Sequence, residues 1–329
     1  MGARITGLAV HLPEARLTSR EVTERITGYR PPAGLVERLT GVESLRVMPD
    51  DWQASDLAAE AARKLFADTG TDPGDVDLLL FASASQDMVE PATAHIVAAK
   101  LGLSCPVFDV KNACNSVLNA IEVADALIGA GGYRRVLIAS GEAPSRAVRW
   151  DVPDLKAYLE ALPGYTLSDA GAALVMERSD RPGVLGSGFS AHSGAWRVGT
   201  LPAGGSAHPR DPEYSYFRMD GAALKEAFDS FGAEVVVDTL ARLGLGWDDF
   251  AVVAVHQVSL PYLEILRERL GIPADKLVVT LAEHGNLASA SLPFQLVRAR
   301  EAGRLGPGDL ACLIGLAGGV SMGVMAVEL

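Results

Sequence analysis

The chain has 329 residues, 49% of them hydrophobic and 21% charged, with 29 basic against 41 acidic side chains and a formal net charge of −12. That balance excludes nucleic acid and an anionic membrane surface as electrostatic partners, and the length suits two lobes or one large α/β unit rather than one small core. Cys105, Cys114 and Cys312 are odd in number and lack CxxC spacing, which argues against a disulfide framework and a zinc site and fits a reducing cytoplasm; no apolar run reaches the ~18–20 residues of a membrane span.

Residues 1–10 read as a first strand and lack the long apolar region of a signal peptide. A helix is expected over 56–69, then an apolar strand within 75–86. Residues 85–95 carry Glu90 immediately before Pro91. A carboxylate beside a proline at the first helical position would be ordinary dipole complementation. The short apolar run 106–110 leads into Asn112-Ala113-Cys114-Asn115, and a helix follows in which Val117, Leu118, Ile121, Ala124, Leu127 and Ile128 repeat at i, i+3, i+4. A thiol at the first turn of a helix meets the positive end of its dipole. Thiolate is then favoured over thiol, so Cys114 is a candidate nucleophile near neutral pH. A further strand falls within 133–141, before Asp169-Ala170-Gly171-Ala172-Ala173.

Residues 183–212 are rich in Gly, Ser, Ala and His and read as a loop-rich boundary between two halves, 1–182 and 183–329; so long a loop is usually functional or a lid. A helix is expected over 224–243. The apolar strand 252–255 then delivers His256 at its C-terminal end, and a helix opens near Pro261. A second apolar run, 278–281, reads as a strand ending in His284-Gly285-Asn286. Strands alternating with helical patterns mean βαβ units and largely parallel sheets. The halves also echo each other: 75–86 parallels 248–259, and 133–141 parallels 309–317. Reactive residues of open α/β sheets collect at the carboxyl ends of strands, which makes Cys114, His256 and Asn286 the candidate site. The paired arginines 134/135, 146/149 and 267/269 are candidates for docking an acidic carrier.

Asn112-Ala113-Cys114, Val255-His256-Gln257 and His284-Gly285-Asn286 with Ala290-Ser291 after it, in this order, resemble β-ketoacyl-ACP synthase III and its relatives in the thiolase superfamily. The glycine-rich stretch 315–323 and the motif 169–173 strengthen the resemblance, which spans 5–329. It implies an α/β thiolase fold, a duplicated five-layer α-β-α-β-α with two mostly parallel or mixed sheets and a site assembled between the halves. It also implies a cytoplasmic homodimer acting on acyl-CoA or acyl-carrier thioesters, with no cofactor or metal. Cys114 would hold an acyl group as a thioester. His256 and Asn286 would donate to the oxygen of the enolate formed by a second thioester. The Cys114 N–H, with one from the loop of Gly318 and Gly319, would serve the tetrahedral oxyanion of acylation.

In the synthase III family the residue before the proline matching Pro91 reaches across a dimer interface into the partner's acyl pocket and is usually apolar. Glu90 instead resembles the branch that joins two acyl chains without decarboxylation, in olefin, β-lactone and pyrone formation, where this glutamate is the base. Leu35 and Leu39 stand where acetyl-CoA-primed enzymes clamp adenine, and 162–165 replaces an Arg-Gly. The resemblance therefore implies a changed carrier or acceptor, as in secondary metabolism. An acyltransferase to an O or N acceptor of a natural product is the alternative, and an inactive subunit of a condensing heterodimer a third reading. Asn286 in place of an Asp beside His256 favours carbon–carbon bond formation over the first, and the complete Cys, His, Asn set argues against the second.

Overall fold

A computed structural model describes residues 2–231 and 233–329. Nine strands form two sheets: β1 (Gly2–His11), β2 (Leu78–Ala82), β3 (Val107–Val110), β4 (Arg135–Glu142), β5 (Ala170–Ser179), β6 (Val184–Ala191), β7 (Val252–Val255), β8 (Leu310–Ala317) and β9 (Ser321–Glu328). The first sheet has the order β1-β5-β4-β2-β3, and the second β6-β9-β8-β7. In the first sheet β2 pairs parallel with both β3 and β4, in the second β7 pairs parallel with β8, and the remaining pairs run antiparallel.

The inner strands of both sheets are buried on both faces, so they read as continuous apolar runs, and the period of two separates three cores. Leu78, Leu80, Val252 and Ala254 face inward onto Val117, Leu118 and Ile121 of helix Ser116–Gly129 and onto Leu292 and Leu296 of helix Ser291–Glu301. Leu79 and Phe81 face outward onto Ala58, Leu65 and Val97 of helices Ala54–Thr69 and Thr93–Leu101. Val253 and Val255 face outward onto Val236, Leu240 and Leu263 of helices Glu234–Leu243 and Leu260–Leu270. Helices therefore lie outside, between and outside two sheets, the five layers of a thiolase fold. The motif 169–173 has a packing reason: a Cβ at Gly171 would lie 2.0 Å from the Leu57 carbonyl oxygen, so only glycine lets that helix press onto β5.

Three expectations change. The helix expected over 224–243 is two, Gly221–Phe231 and Glu234–Leu243. Strand β6 occupies the start of the stretch expected to be a loop-rich boundary, because it pairs with β9 along the edge of the second sheet; the segment after it, from His192, carries only short 3-10 turns and two-residue strands up to Met219. The strand expected at 278–281 is absent: one bridge, Val253 with Leu277, is all that forms there, and Leu281–His284 is a short helix. Among the described residues no helix is long and apolar enough to cross a membrane.

Candidate active site

Cys114 lies in a tight turn between β3 and helix Ser116–Gly129, two residues before the helix begins. Asn112 and Cys114 form an isolated bridge, and Ala113 between them takes φ +45°, a left-handed conformation that costs a non-glycine residue about 1–2 kcal/mol. Ser116 holds the turn by accepting from the Asn112 N–H (2.9 Å) and donating to the Ala113 carbonyl (2.7 Å). The next residue, Asn115, is buried, and its Nδ2 donates to Ser321 Oγ at 3.0 Å, just past the turn holding Gly318 and Gly319. A Cβ at Gly315 would lie 2.1 Å from Asn115 Oδ1. The Cys114 turn is thus fitted against the β8–β9 hairpin, which carries Gly318 and Gly319.

The surroundings of Cys114 do not favour the expected thiolate. Cys114 is pushed up to about 12, first by burial and then by the Glu142 carboxylate, against a smaller opposing pull from its own backbone N–H. Cys114 is a thiol at neutral pH.

His256 follows β7, and its N–H donates to the Ile314 carbonyl beside Gly315 (2.8 Å). The side chain is buried, its Nδ1 has no hydrogen-bond partner, and burial lowers it to about 4, so it is neutral. Gln257 next to it explains the missing strand. Its Nε2 donates to the Val278 carbonyl and its Oε1 accepts from the N–H groups of Thr280 and Leu281, so one side chain takes the bonds a neighbouring strand would have used.

Asn286 is fixed on three sides. Its N–H donates to Thr166, its carbonyl accepts from Ser168, and its Oδ1 accepts from the Ala288 N–H at 2.9 Å. The engaged Oδ1 leaves Nδ2 as the end free to donate to a ligand. Three residues on, Ser289 donates to Glu142, the carboxylate whose charge bears on Cys114. Cys114 thus follows the carboxyl end of β3 and His256 that of β7, and the Asn286 turn is tied through Ser289 to Glu142.

Glu90 stands apart from them, exposed on the loop between β2 and helix Thr93–Leu101. Pro91 is not the first helical residue, since the helix starts at Thr93. Asp109 accepts from the N–H groups of Thr93 and Ala94, so Glu90 does not cap that helix. Sequence reasoning missed Glu142 altogether; a charge ending the apolar run of β4 was the available signal. Gln257 was noted only as part of a motif.

A cleft of about 160 Å³ is bounded by Leu17, Arg25, Leu45, Trp150, Tyr165 and Leu167, and Leu167 forms a bridge with Asn286. A larger cleft, about 720 Å³, lies among Asp75, Asp77, Arg135 and Glu177, at the opposite, N-terminal ends of β2 and β4. Of the paired arginines, Arg135 is held by Asp75 and Glu177, and Arg267 by Glu264. Among the described residues no group of three or more His, Cys, Asp or Glu could hold a metal ion.

Residues 108–193 match the family described as 3-Oxoacyl-[acyl-carrier-protein (ACP)] synthase III, and residues 240–329 match 3-Oxoacyl-[acyl-carrier-protein (ACP)] synthase III C terminal; together they span more than half of the chain. The β-ketoacyl-[acyl-carrier-protein] synthases III of Neisseria gonorrhoeae and Neisseria meningitidis are each 28% identical over 328 residues, 99% of this chain and 99% of theirs. Xanthomonas campestris OleA superimposes with a TM-score of 0.89 at 28% identity, over 100% of this chain and 97% of that one. OleA structures similar to this chain include forms with cerulenin, with lauric acid and lauroyl-CoA, and with a cysteine, a histidine or a glutamate replaced. The synthase III of Aquifex aeolicus, at 24% identity and a TM-score of 0.86, shares the fold.

Proposed function

The chain belongs to the 3-oxoacyl-ACP synthase III family, and from that premise we propose which side chains act and which acyl units are joined. The protein is a condensing enzyme that forms a carbon–carbon bond by Claisen condensation of acyl thioesters through a cysteine-bound acyl group. Cys114 is our nucleophile. Its Sγ attacks the thioester carbonyl, its proton passes to the departing thiolate, and neutral His256 is the group at hand to carry that proton. N–H groups of Cys114 and of the Gly318 and Gly319 turn receive the tetrahedral oxyanion. In the second stage His256 and Asn286 Nδ2 donate to the enolate oxygen, each worth about 3 kcal/mol.

Glu90 of the partner subunit supplies the base in our reading. It removes the α-proton of a second acyl thioester. The enolate carbon attacks the acyl carbonyl carbon, and the bond from that carbon to Cys114 Sγ breaks to leave a β-ketoacyl thioester; the departing thiolate regains a proton through His256 and Glu90 releases its own to solvent. The observation that carries this is that Asp109 caps the helix, which leaves the Glu90 carboxylate without a structural task on an exposed loop. The replaced glutamate of OleA points the same way. We further read 1–182 and 183–329 as two halves that meet at the site, supported by one sheet lying in each. Acyl-CoA or acyl-carrier thioesters would enter by the cleft beside Asn286, where Arg25 offers positive charge to a phosphate and Arg146 is already paired with Asp50. Free cysteines support a reducing, cytoplasmic setting, and Leu35 and Leu39 in place of an adenine clamp support secondary metabolism.

The test is intact-protein mass spectrometry with a panel of acyl-CoAs and acyl carriers, followed by product analysis. Wild type should gain one acyl mass, absent in Cys114→Ala. Glu90→Gln should still gain it and form product ~10²–10⁴-fold more slowly from simple acyl thioesters. If only malonyl-type acceptors give product, or Glu90→Gln matches wild type, the enolate arises by decarboxylation and Glu90 is no base.

A further inference from the structure

Glu142 ends β4, is fully buried and has no part in the steps above. Its carboxylate accepts five hydrogen bonds: from the N–H groups of Ala84 (2.8 Å), Ser85 (3.2 Å) and Ser289 (3.3 Å), and from the hydroxyls of Ser85 (3.0 Å) and Ser289. Ionised carboxylates only accept, with about four lone-pair sites, so no neutral side chain of this size could serve as many donors. The donors come from two segments. Ala84 and Ser85 open the loop that carries Glu90, and Ser289 lies in the turn fixed by Asn286. Both segments are tied to β4 again, Ser83 Oγ donating to the Gly141 carbonyl and Ser289 Oγ meeting Ser140 Oγ at 3.0 Å.

We propose that Glu142 is a positioning residue for condensation: its carboxylate holds the Asn286 turn and the Glu90 loop in one arrangement beside the acylated Cys114. The inference rests on the reading of Cys114, Asn286 and Glu90 as the reacting groups. A second consequence follows from charge. Burial is the larger cause of the raised Cys114 thiol, and the Glu142 carboxylate adds to it. Lys111 is bonded to Gln86 and feels the charges of both Glu142 and Asp109.

Glu142→Gln, Ser289→Ala and Ser85→Ala separate these roles. Alkylation of Cys114 by iodoacetamide should inflect at lower pH in Glu142→Gln and not in the serine variants. Acylation in a single turnover should be spared, whereas condensation by pre-acylated enzyme should fall about 10²-fold in Glu142→Gln, the cost of a small misplacement, and less in the serine variants. An unmoved inflection together with equal loss of acylation and condensation would make Glu142 a fold residue and overturn the proposal. If Glu142→Gln does not fold, the serine variants decide by the same ratio of condensation to acylation. Wild type that condenses no pair of thioesters would refute the proposed function instead, and the alkylation profiles would still report on Glu142.

Discussion

Burial leaves both Cys114 and His256 uncharged at neutral pH, a thiol pushed up to about 12 and an imidazole lowered to about 4. In the proposed reaction, therefore, Cys114 starts as a thiol and its proton leaves during the attack. The same burial links His256 to stability. Its folded pKa lies below the ordinary value near 6.5, so above that pH neither state binds the proton and nothing is lost. As pH falls, the unfolded chain takes up a proton that the native state refuses, and stability declines through the window down to about 4. The full loss is on the order of 3 kcal/mol. Urea unfolding of His256→Gln should accordingly show a shallower decline between pH 6.5 and 4 than wild type. Parallel profiles for the two proteins would mean that His256 is protonated in the native state over that range.

At the scale of elements, Gln257 stands in for a strand. Gln257→Leu would orphan the Val278 carbonyl and the N–H groups of Thr280 and Leu281, at about 1–3 kcal/mol for each group left buried and unpaired. The variant should melt earlier, and amide exchange in a peptide spanning 277–286 should quicken; unchanged exchange there would show that other contacts hold the Asn286 turn. This element also shows where sequence reading stops. The apolar run 278–281 looks like a strand because periodicity cannot tell backbone pairing from side-chain pairing. Strands β2, β4 and β7 were legible, since burial on both faces makes them continuous apolar runs, and so was the helix after Cys114, whose inward face repeats at helical spacing. The apolar pattern likewise ran on through the break between helices Gly221–Phe231 and Glu234–Leu243 and concealed it. What local pattern could not contain was the charge of Glu142 beside Cys114, or Asp109 taking the helix end expected for Glu90, because both act across turns of chain.

At the scale of the molecule, one edge of the first sheet is unfinished. Strand β3 pairs with β2 on one side, and its other side has no strand among the described residues. Phe108 on that edge is 41% exposed, and Met88 and Val89, immediately before the Glu90–Pro91 pair, are 48% and 67% exposed. An edge strand with apolar side chains open to water is a template for another chain, and a second copy of this protein would cover both features at once. Residues 83–92 run beside this edge, because the Asp109 side chain of β3 is bonded to Thr93 and Ala94. Covering the edge would thus carry Glu90 toward the other protomer, which is where the proposed proton abstraction needs it. Sedimentation at micromolar concentration should give a dimer, and Phe108→Lys should shift it toward monomer. The dissociated protein should still acylate Cys114, since Cys114, His256 and Asn286 lie within one chain, but it should lose condensation along with its partner's carboxylate. Mixing Cys114→Ala with Glu90→Gln gives the complementary check: hybrid dimers pair one intact cysteine with the other subunit's intact glutamate, and activity should return. A monomeric wild type with full condensation activity, or no recovery from mixing subunits that demonstrably exchange, would place Glu90 outside the reaction.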